Sequence, residues 1–298
     1  MAKFEENEIN TDLIPSPAKY TVMLPDDYGA SNNLYPLILF LHGGDGDRGF
    51  LKERVGQIIN DLWEINLTPK MVIATPDCDR SFYLDFKDGS QKWESFIITE
   101  LLPHLKEMYR VEDDQKKCFI GGISMGGMGA LRMGFKYPLK FEIILAFEPG
   151  IEPALEWKDV KLEDKFWRDQ SLLEERYGKP IDENYWRSNN PASIVSEKAN
   201  EIRESNIKIY IEAGTEDMFG LFRGTEFLHR ILYDHDIKHE YRYVYGADHI
   251  GFSLRERIIN GFSFIKRVLN LSDSESNHQI KAARNFVAAL KKREGLKR

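Results

Sequence analysis

The pentapeptide Gly122-Ile123-Ser124-Met125-Gly126 has the spacing G-x-S-x-G. It suits a serine held on a sharp turn between a strand and a helix, where flanking side chains larger than hydrogen would clash. A serine hydroxyl is a weak nucleophile until a base takes its proton and a third group orients that base. Downstream, one apolar run ends in Gly214-Thr215-Glu216-Asp217 and a later one in Gly246-Ala247-Asp248-His249, so an acid and an imidazole follow the serine in chain order. Ser124 is the candidate nucleophile, His249 the base and Asp217 the acid. Glu216 competes with Asp217; Asp248 is a lesser alternative, because adjacency to His249 makes the required geometry awkward. Of the other histidines, His104 and His229 fall within helical patterns, His235 and His239 lie around a helix-to-strand turn, and His278 sits in the tail.

Attack on a carbonyl creates a negative oxygen that backbone N–H groups must meet. One is expected from Met125, the residue after the serine. The second is expected from the loop His42-Gly43-Gly44-Asp45-Gly46-Asp47, with the Gly44 amide favoured over that of Gly43 and with His42 as a loop-orienting residue. This loop lacks the ligand pattern of an EF-hand and the Lys-Ser/Thr of a P-loop, so neither a metal nor an organic cofactor is expected. In the segment Arg80-Ser81-Phe82-Tyr83-Leu84-Asp85, Tyr83 and Asp85 are candidates to line a substrate pocket or, equally, to hold their loop by hydrogen bonds.

These residues need a scaffold. Strand-like runs at residues 20–24, 37–41, 71–75, 118–123, 143–147, 207–213 and 240–245 alternate with helical periodicity at 93–108, 125–137, 219–233 and 254–269. The alternation predicts an α/β protein with a mostly parallel central sheet flanked by helices. Continuous runs such as LILFL and IILAF suit strands covered on both faces. Ser253 and Glu256 predict a capping box at the start of the last of these helices. Residues 150–204 have no strand pattern and contain Trp157, Trp167 and Trp186. They read as a helical insertion that either walls a substrate pocket or forms a peripheral subdomain. The expected organisation is a catalytic domain over residues 1–270, containing this insertion, and a helical extension over 271–298. There Ile280, Ala283, Phe286, Val287 and Leu290 form an apolar stripe that needs a partner surface, on its own domain or on a second copy in a homodimer.

Composition narrows the function classes. The 298 residues include 48 acidic and 41 basic side chains, giving a net charge of −7, and 42% are hydrophobic. A disordered or collagen-like chain is excluded. Basic residues are scattered, so no nucleic-acid partner is expected, and no apolar run approaches a membrane span. The first ten residues carry no apolar core of a leader, which makes the cytoplasm the expected location. Cys78 and Cys118 are too few for a disulfide framework or a four-ligand zinc site. A small-molecule substrate follows.

As a set, the HGG loop, S-F-Y-x-D, W-E ahead of E-L-L-P-H-L, G-G-I-S-M-G-G-M-G-A-L, G-T-E-D and G-A-D-H resemble one family. It is the esterase family of α/β-hydrolases that includes esterase D (S-formylglutathione hydrolase) and feruloyl and other carboxylesterases, and the likeness spans residues 20–269. The resemblance implies the α/β-hydrolase fold, triad roles for Ser124, Asp217 and His249, oxyanion roles for Met125 and Gly44, and a pocket shaped partly by the insertion. It implies a serine carboxylesterase that hydrolyses small esters, with short-chain or aromatic, feruloyl-like acyl groups, through an acyl-enzyme. The alternatives are a thioesterase of the S-formylglutathione type, acyl transfer to a sugar or alcohol, and a catalytically silent binding protein of the same fold. Gly44-Asp45-Gly46 stand where S-formylglutathione hydrolases usually carry a leucine and then a cysteine.

Overall fold

The computed structural model describes residues 1–113, 117–270 and 275–295, with side chains in the last segment from residue 280 onward. One sheet of eight strands runs in the order β1-β2-β4-β3-β5-β6-β7-β8. The strands are β1 Lys3–Ile9, β2 Ala18–Leu24, β3 Leu37–Leu41, β4 Val72–Pro76, β5 Cys118–Ile123, β6 Ile143–Phe147, β7 Lys208–Gly214 and β8 Glu240–Val244. From β4 through β8 neighbouring strands are parallel, while β2 is antiparallel to β4 and β1 to β2. This is the mostly parallel sheet that the alternating pattern predicts. Strand β1 is an addition to it: KFEENEI carries too many charges to read as a strand, yet it pairs with β2 from Lys3 opposite Leu24 to Ile9 opposite Ala18.

The helices are α1 Gly56–Glu64, α2 Trp93–Phe96, α3 Leu102–Met108, α4 Met125–Lys136, α5 Gln170–Tyr177, α6 Glu183–Asn189, α7 Pro191–Ser205, α8 Phe222–Asp234, α9 Leu254–Asn270 and α10 Glu275–Arg293. The single helix expected over 93–108 is interrupted by a π-helical turn at Ile97–Leu101. Pro103, which has no N–H for the carbonyl four residues back, follows directly. Strand alternation splits the core in two. Along β3, Leu37, Leu39 and Leu41 join a cluster with α4, α7 and α8, whereas Ile38 and Phe40 join one with α1 and α9. Both cysteines are buried and unpaired.

Between β6 and β7 the chain forms short 3₁₀ turns at Trp157–Asp159 and Leu162–Asp164 and then α5, α6 and α7. Trp157 packs on Trp186, ring centroids 5.6 Å apart, while Trp167 turns toward Phe219 at 6.0 Å. The insertion thus has its own aromatic core and also reaches the sheet's loop edge. On α10, Ile280, Phe286 and Val287 are 40%, 65% and 48% exposed, so this chain leaves the predicted stripe uncovered. Residues 271–274 and 296–298 of that extension lie outside the described residues. Among the described residues no helix is long and apolar enough to cross a membrane.

Helix α4 approaches the sheet more closely than any side chain would permit. A Cβ on Gly126 would lie 2.2 Å from the Leu41 carbonyl oxygen, and one on Gly122 would lie 2.5 Å from the Gly126 carbonyl carbon. Gly126→Ala is therefore expected to lower stability by at least about 1–3 kcal/mol in urea denaturation, the usual scale of overpacking. Gly29→Ala, where a Cβ meets nothing within 4 Å, should stay within about 0.5 kcal/mol of the parent.

Candidate active site

Ser124 joins β5 to α4 with φ 58° and ψ −114°. Such a backbone costs about 1–3 kcal/mol in a non-glycine residue and persists only when its surroundings over-determine it. They do here: the Ser124 N–H donates to the Phe147 carbonyl at 2.8 Å, and its own carbonyl accepts from Met128 and Gly150, each at 3.0 Å. The partly exposed Ser124 lines a cleft of about 440 Å³ together with Gly43, Gly44, Met125, Trp167, Phe219 and His249. Met125 opens α4, where the first backbone N–H groups have no partner within the helix.

The glycine loop after β3 is fixed from behind. The buried His42 accepts from Cys78 N–H at Nε2, 3.0 Å, so its proton sits on Nδ1, which donates to the Gly43 carbonyl at 2.7 Å. Burial also pushes the His42 pKa down, against the pull of the Gly43 carbonyl and nearby aspartates, which keeps the ring neutral. His42 is thus the loop-orienting residue that the sequence suggests. The Gly43 carbonyl further accepts from Gly46 N–H at 3.1 Å. Because a trans peptide sets N–H opposite C=O, anchoring this carbonyl on His42 turns the Gly44 N–H away from it.

Two stitched loops bring the acid and the imidazole together. Thr215 N–H donates to Val244, Glu216 N–H to Ala247, and Gly246 N–H to the Thr215 hydroxyl. A Cβ on Gly214 would lie 2.2 Å from the Ala247 oxygen, so glycine is required where the loops cross. Asp217 Oδ2 lies 3.3 Å from His249 Nδ1, and its Oδ1 accepts from Phe219 N–H at 2.7 Å. Burial disfavours the Asp217 carboxylate, but its interactions with His249 and Glu148 and the hydrogen bond from Phe219 N–H outweigh it and hold the pKa below the ordinary value. Phe219 packs edge-on against the imidazole at 5.0 Å.

Neither rival acid reaches His249. Glu216 is exposed and accepts from its neighbour Thr215 at 3.2 Å. Asp248 accepts from the N–H groups of Phe252 and Ser253 and from the Ser253 hydroxyl. The capping box expected between Ser253 and Glu256 is corrected accordingly: the Ser253 hydroxyl is a donor to Asp248, which serves the N–H groups ahead of α9.

Tyr83 and Asp85 are also corrected, since neither lines the cleft. Tyr83 is fully buried and donates its hydroxyl to the His42 carbonyl at 2.8 Å, while Asp85 accepts from Ser95 N–H at 2.9 Å and from its hydroxyl at 2.5 Å. Both hold loops, the second of the two roles the sequence allows. Phe82 and Tyr83 adopt φ of 58° and 59°, and Arg132 Nη2 donates to both of their carbonyls at 2.7 and 2.5 Å. Arg132 Nε pairs with Glu94 at 3.0 Å, and Lys136 and Tyr137 reach the same carboxylate. A buried chain of bonds therefore runs from α4 through Tyr83 to the glycine loop.

Two further residues escape sequence reasoning. Glu148, after β6, has φ 43° and is wholly buried. Arg257 of α9 is 2% exposed, pairs with Glu148 at 2.8 Å and Glu212 at 2.5 Å, and donates to the carbonyls of Asp248 and His249 at 2.6 and 2.9 Å. An acid directly after the apolar strand IILAF, and an arginine amid the apolar face of α9, are the signals that could have marked them. The ligand atoms of Glu148, Asp217 and His249 lie within 4.8 Å of one another. The Arg257 guanidinium against Glu148 makes this group unsuited to a cation.

The family described as "Putative esterase" matches residues 12–250. An acetyl esterase of Caldicellulosiruptor saccharolyticus is 32% identical over 121 residues, 41% of this chain and 43% of that protein. The chain spans only 25% to 43% of the length of such curated relatives. Among solved structures, a ferulic acid esterase superimposes with a TM-score of 0.74 at 20% identity, covering 90% of this chain and 99% of that one. An S-formylglutathione hydrolase from Agrobacterium tumefaciens gives 0.71 at 19% identity, covering 89% and 94%. At these identities the structures share the fold.

Arg132→Met removes one partner of the buried Glu94 ion pair and both bonds to the Phe82–Tyr83 turn. It is expected to cost about 3–5 kcal/mol in urea denaturation. Hydrogen exchange should speed up in the peptide spanning residues 81–84, and unchanged exchange there would exclude a role for Arg132 in holding the turn.

Proposed function

The chain belongs to the esterase family of α/β-hydrolases, and from that premise we propose that it is a serine carboxylesterase cleaving small carboxylic esters through an acyl-enzyme. The observation that carries this reading is the convergence, in one cleft, of a strained serine at a helix start and an imidazole backed by a buried carboxylate. Ser124 Oγ attacks the ester carbonyl while His249 Nε2 takes its proton, and His249 then returns that proton to the leaving alcohol and activates water. Asp217, at Nδ1, sets the tautomer and stabilises the imidazolium. The amides of Met125 and Gly44 meet the oxyanion.

Phe50, Phe82, Trp167, Met218, Phe219 and Leu221 among the cleft residues support an aromatic or short aliphatic acyl group. The names of the similar proteins, acetyl esterase and ferulic acid esterase, span the same two options.

Ser124→Ala is expected to lower kcat/KM on p-nitrophenyl acetate by about 10³-fold or more and to abolish labelling by a fluorophosphonate. Wild-type turnover by this variant would overturn the reading. Trp167→Ala should lower kcat/KM for a feruloyl ester about tenfold relative to an acetyl ester, the scale of one aromatic contact. An unaltered ratio across a panel of acetyl, butyryl and feruloyl esters would take Trp167 out of acyl recognition.

A further inference from the structure

Glu148 sits directly behind the Asp217–His249 pair. Its Oε1 is engaged, accepting from Gly214 N–H and lying 2.8 Å from Arg257 Nη2 in an ion-pair contact. Its Oε2 is buried with no N–H or O–H donor, and the Asp217 carboxyl lies beside Glu148, an oxygen of each within 4.8 Å of the other. Asp217 is already engaged at both oxygens, by Phe219 N–H and by His249. Two ionised carboxyl groups offer each other only acceptors, so a hydrogen bond between them requires that one carry a proton.

The surroundings decide which one. Asp217 receives the Phe219 N–H and faces the imidazole, both of which favour its anion. Glu148 lies deeper, and its burial, reinforced by the negative charge of Asp217, raises its pKa to about 10 in spite of Arg257 and Gly214 N–H. Arg257 divides its charge between Glu148 and Glu212 and cannot neutralise both.

We propose that Glu148 is a positioning residue of the triad: as a neutral carboxylic acid it donates from Oε2 to Asp217, fixing that carboxylate against His249 and keeping a second negative charge out of the site. This rests on the triad reading above. The charged and titratable groups around Glu148 are Asp217 and His249 from the loops after β7 and β8, Glu212 on β7, Tyr241 on β8 and Arg257 on α9. Because its folded-state pKa is raised, Glu148 stays protonated through neutral pH. It ionises as pH climbs toward 10, where two adjacent carboxylates repel and the His249 geometry loosens. Activity should therefore fall on the alkaline side.

The test compares wild type, E148Q, E148A and S124A on p-nitrophenyl acetate from pH 6 to 10.5, with infrared spectra of each at pH 8. A glutamine keeps a neutral donor but cannot ionise. E148Q is expected to retain kcat/KM within about threefold at pH 7.5 and to lack the alkaline fall of the wild type, while E148A drops about tenfold or more. The infrared band of a protonated carboxylic acid should weaken in E148Q relative to wild type. If E148A fails to fold, E148Q and the infrared band carry the test. Equal impairment of E148Q and E148A would overturn the proposal, as would an alkaline limb and a carboxylic-acid band shared by wild type and E148Q. Full turnover by S124A would instead overturn the nucleophile assignment, leaving the infrared comparison to judge the Glu148 proton on its own.

Discussion

At the crossing of β3, β5 and the first turn of α4, backbone touches backbone. The space that a Cβ on Gly122 or Gly126 would need is filled by the carbonyl groups of Leu41, His42 and Gly126 itself. This contact sets the rest of the site. It makes the link from β5 to α4 so tight that Ser124 must take a left-handed φ, and it lays the start of the glycine loop beside that same turn. A Cβ on Gly43 would lie 3.6 Å from the Ser124 Cβ. Serine and glycine loop are therefore one construction, in which displacing α4 would move both. The strain at Ser124 is offset locally, because its N–H and C=O are both satisfied by Phe147, Met128 and Gly150.

Three buried arginines carry that rigidity outward, each to a different loop. Arg132 holds the Phe82–Tyr83 turn, and through the Tyr83 hydroxyl the carbonyl of His42. Arg168 binds Glu152 and the Gly150 carbonyl while lying 4.1 Å over Trp167, so it joins the insertion to the segment whose N–H supports Ser124. Arg257 holds the consecutive carbonyls of Asp248 and His249. Buried ion pairs contribute little net stability compared with apolar residues of the same volume. A planar fork of donors does what an apolar side chain cannot: it fixes carbonyls of separate loops at defined distances from one another. The placement of these arginines, one per loop, fits that use.

The legible parts of this chain were those where local chemistry and chain order coincide. Ser124, Asp217 and His249 each terminate an apolar run, and the glycines of G-x-S-x-G report steric need in the sequence itself. Choosing Asp217 over Glu216 required the structure, because neighbouring acids differ only in which way the turn points them. Glu148 and Arg257 were illegible for a related reason. Each is an ionisable residue beside an apolar element, and the ion pairs that give it meaning join residues 45 and 109 apart in the chain. Strand β1 was hidden by its charges, since a strand that pairs along one edge and is only half-buried needs no apolar run. The residues read as pocket-lining, Tyr83 and Asp85, turned inward because the consecutive left-handed residues Phe82 and Tyr83 reverse the chain under the cleft.

The cleft is lined by two unlike sets of residues, and this bears on what could lie in it. Trp167 of the insertion and Met218, Phe219 and Leu221 beyond the Asp217 loop present apolar surface. The segment from the glycine loop toward α1 contributes Asp45, Asp47, Glu53 and Arg54 to the lining, with Phe50 among them. An apolar group gains by leaving water against the first set and would strand the hydrated charges of the second. A hydroxyl-bearing group meets hydrogen-bonding partners along the second and keeps its own polar atoms satisfied. Under the proposed mechanism, the better match sets an apolar acyl group against Trp167 and Phe219 and a polar alcohol against the acidic residues. Both sets lie outside Leu41, His42, Gly122 and Gly126, the residues that make the β3–β5–α4 contact, so the lining can vary while that contact stays fixed.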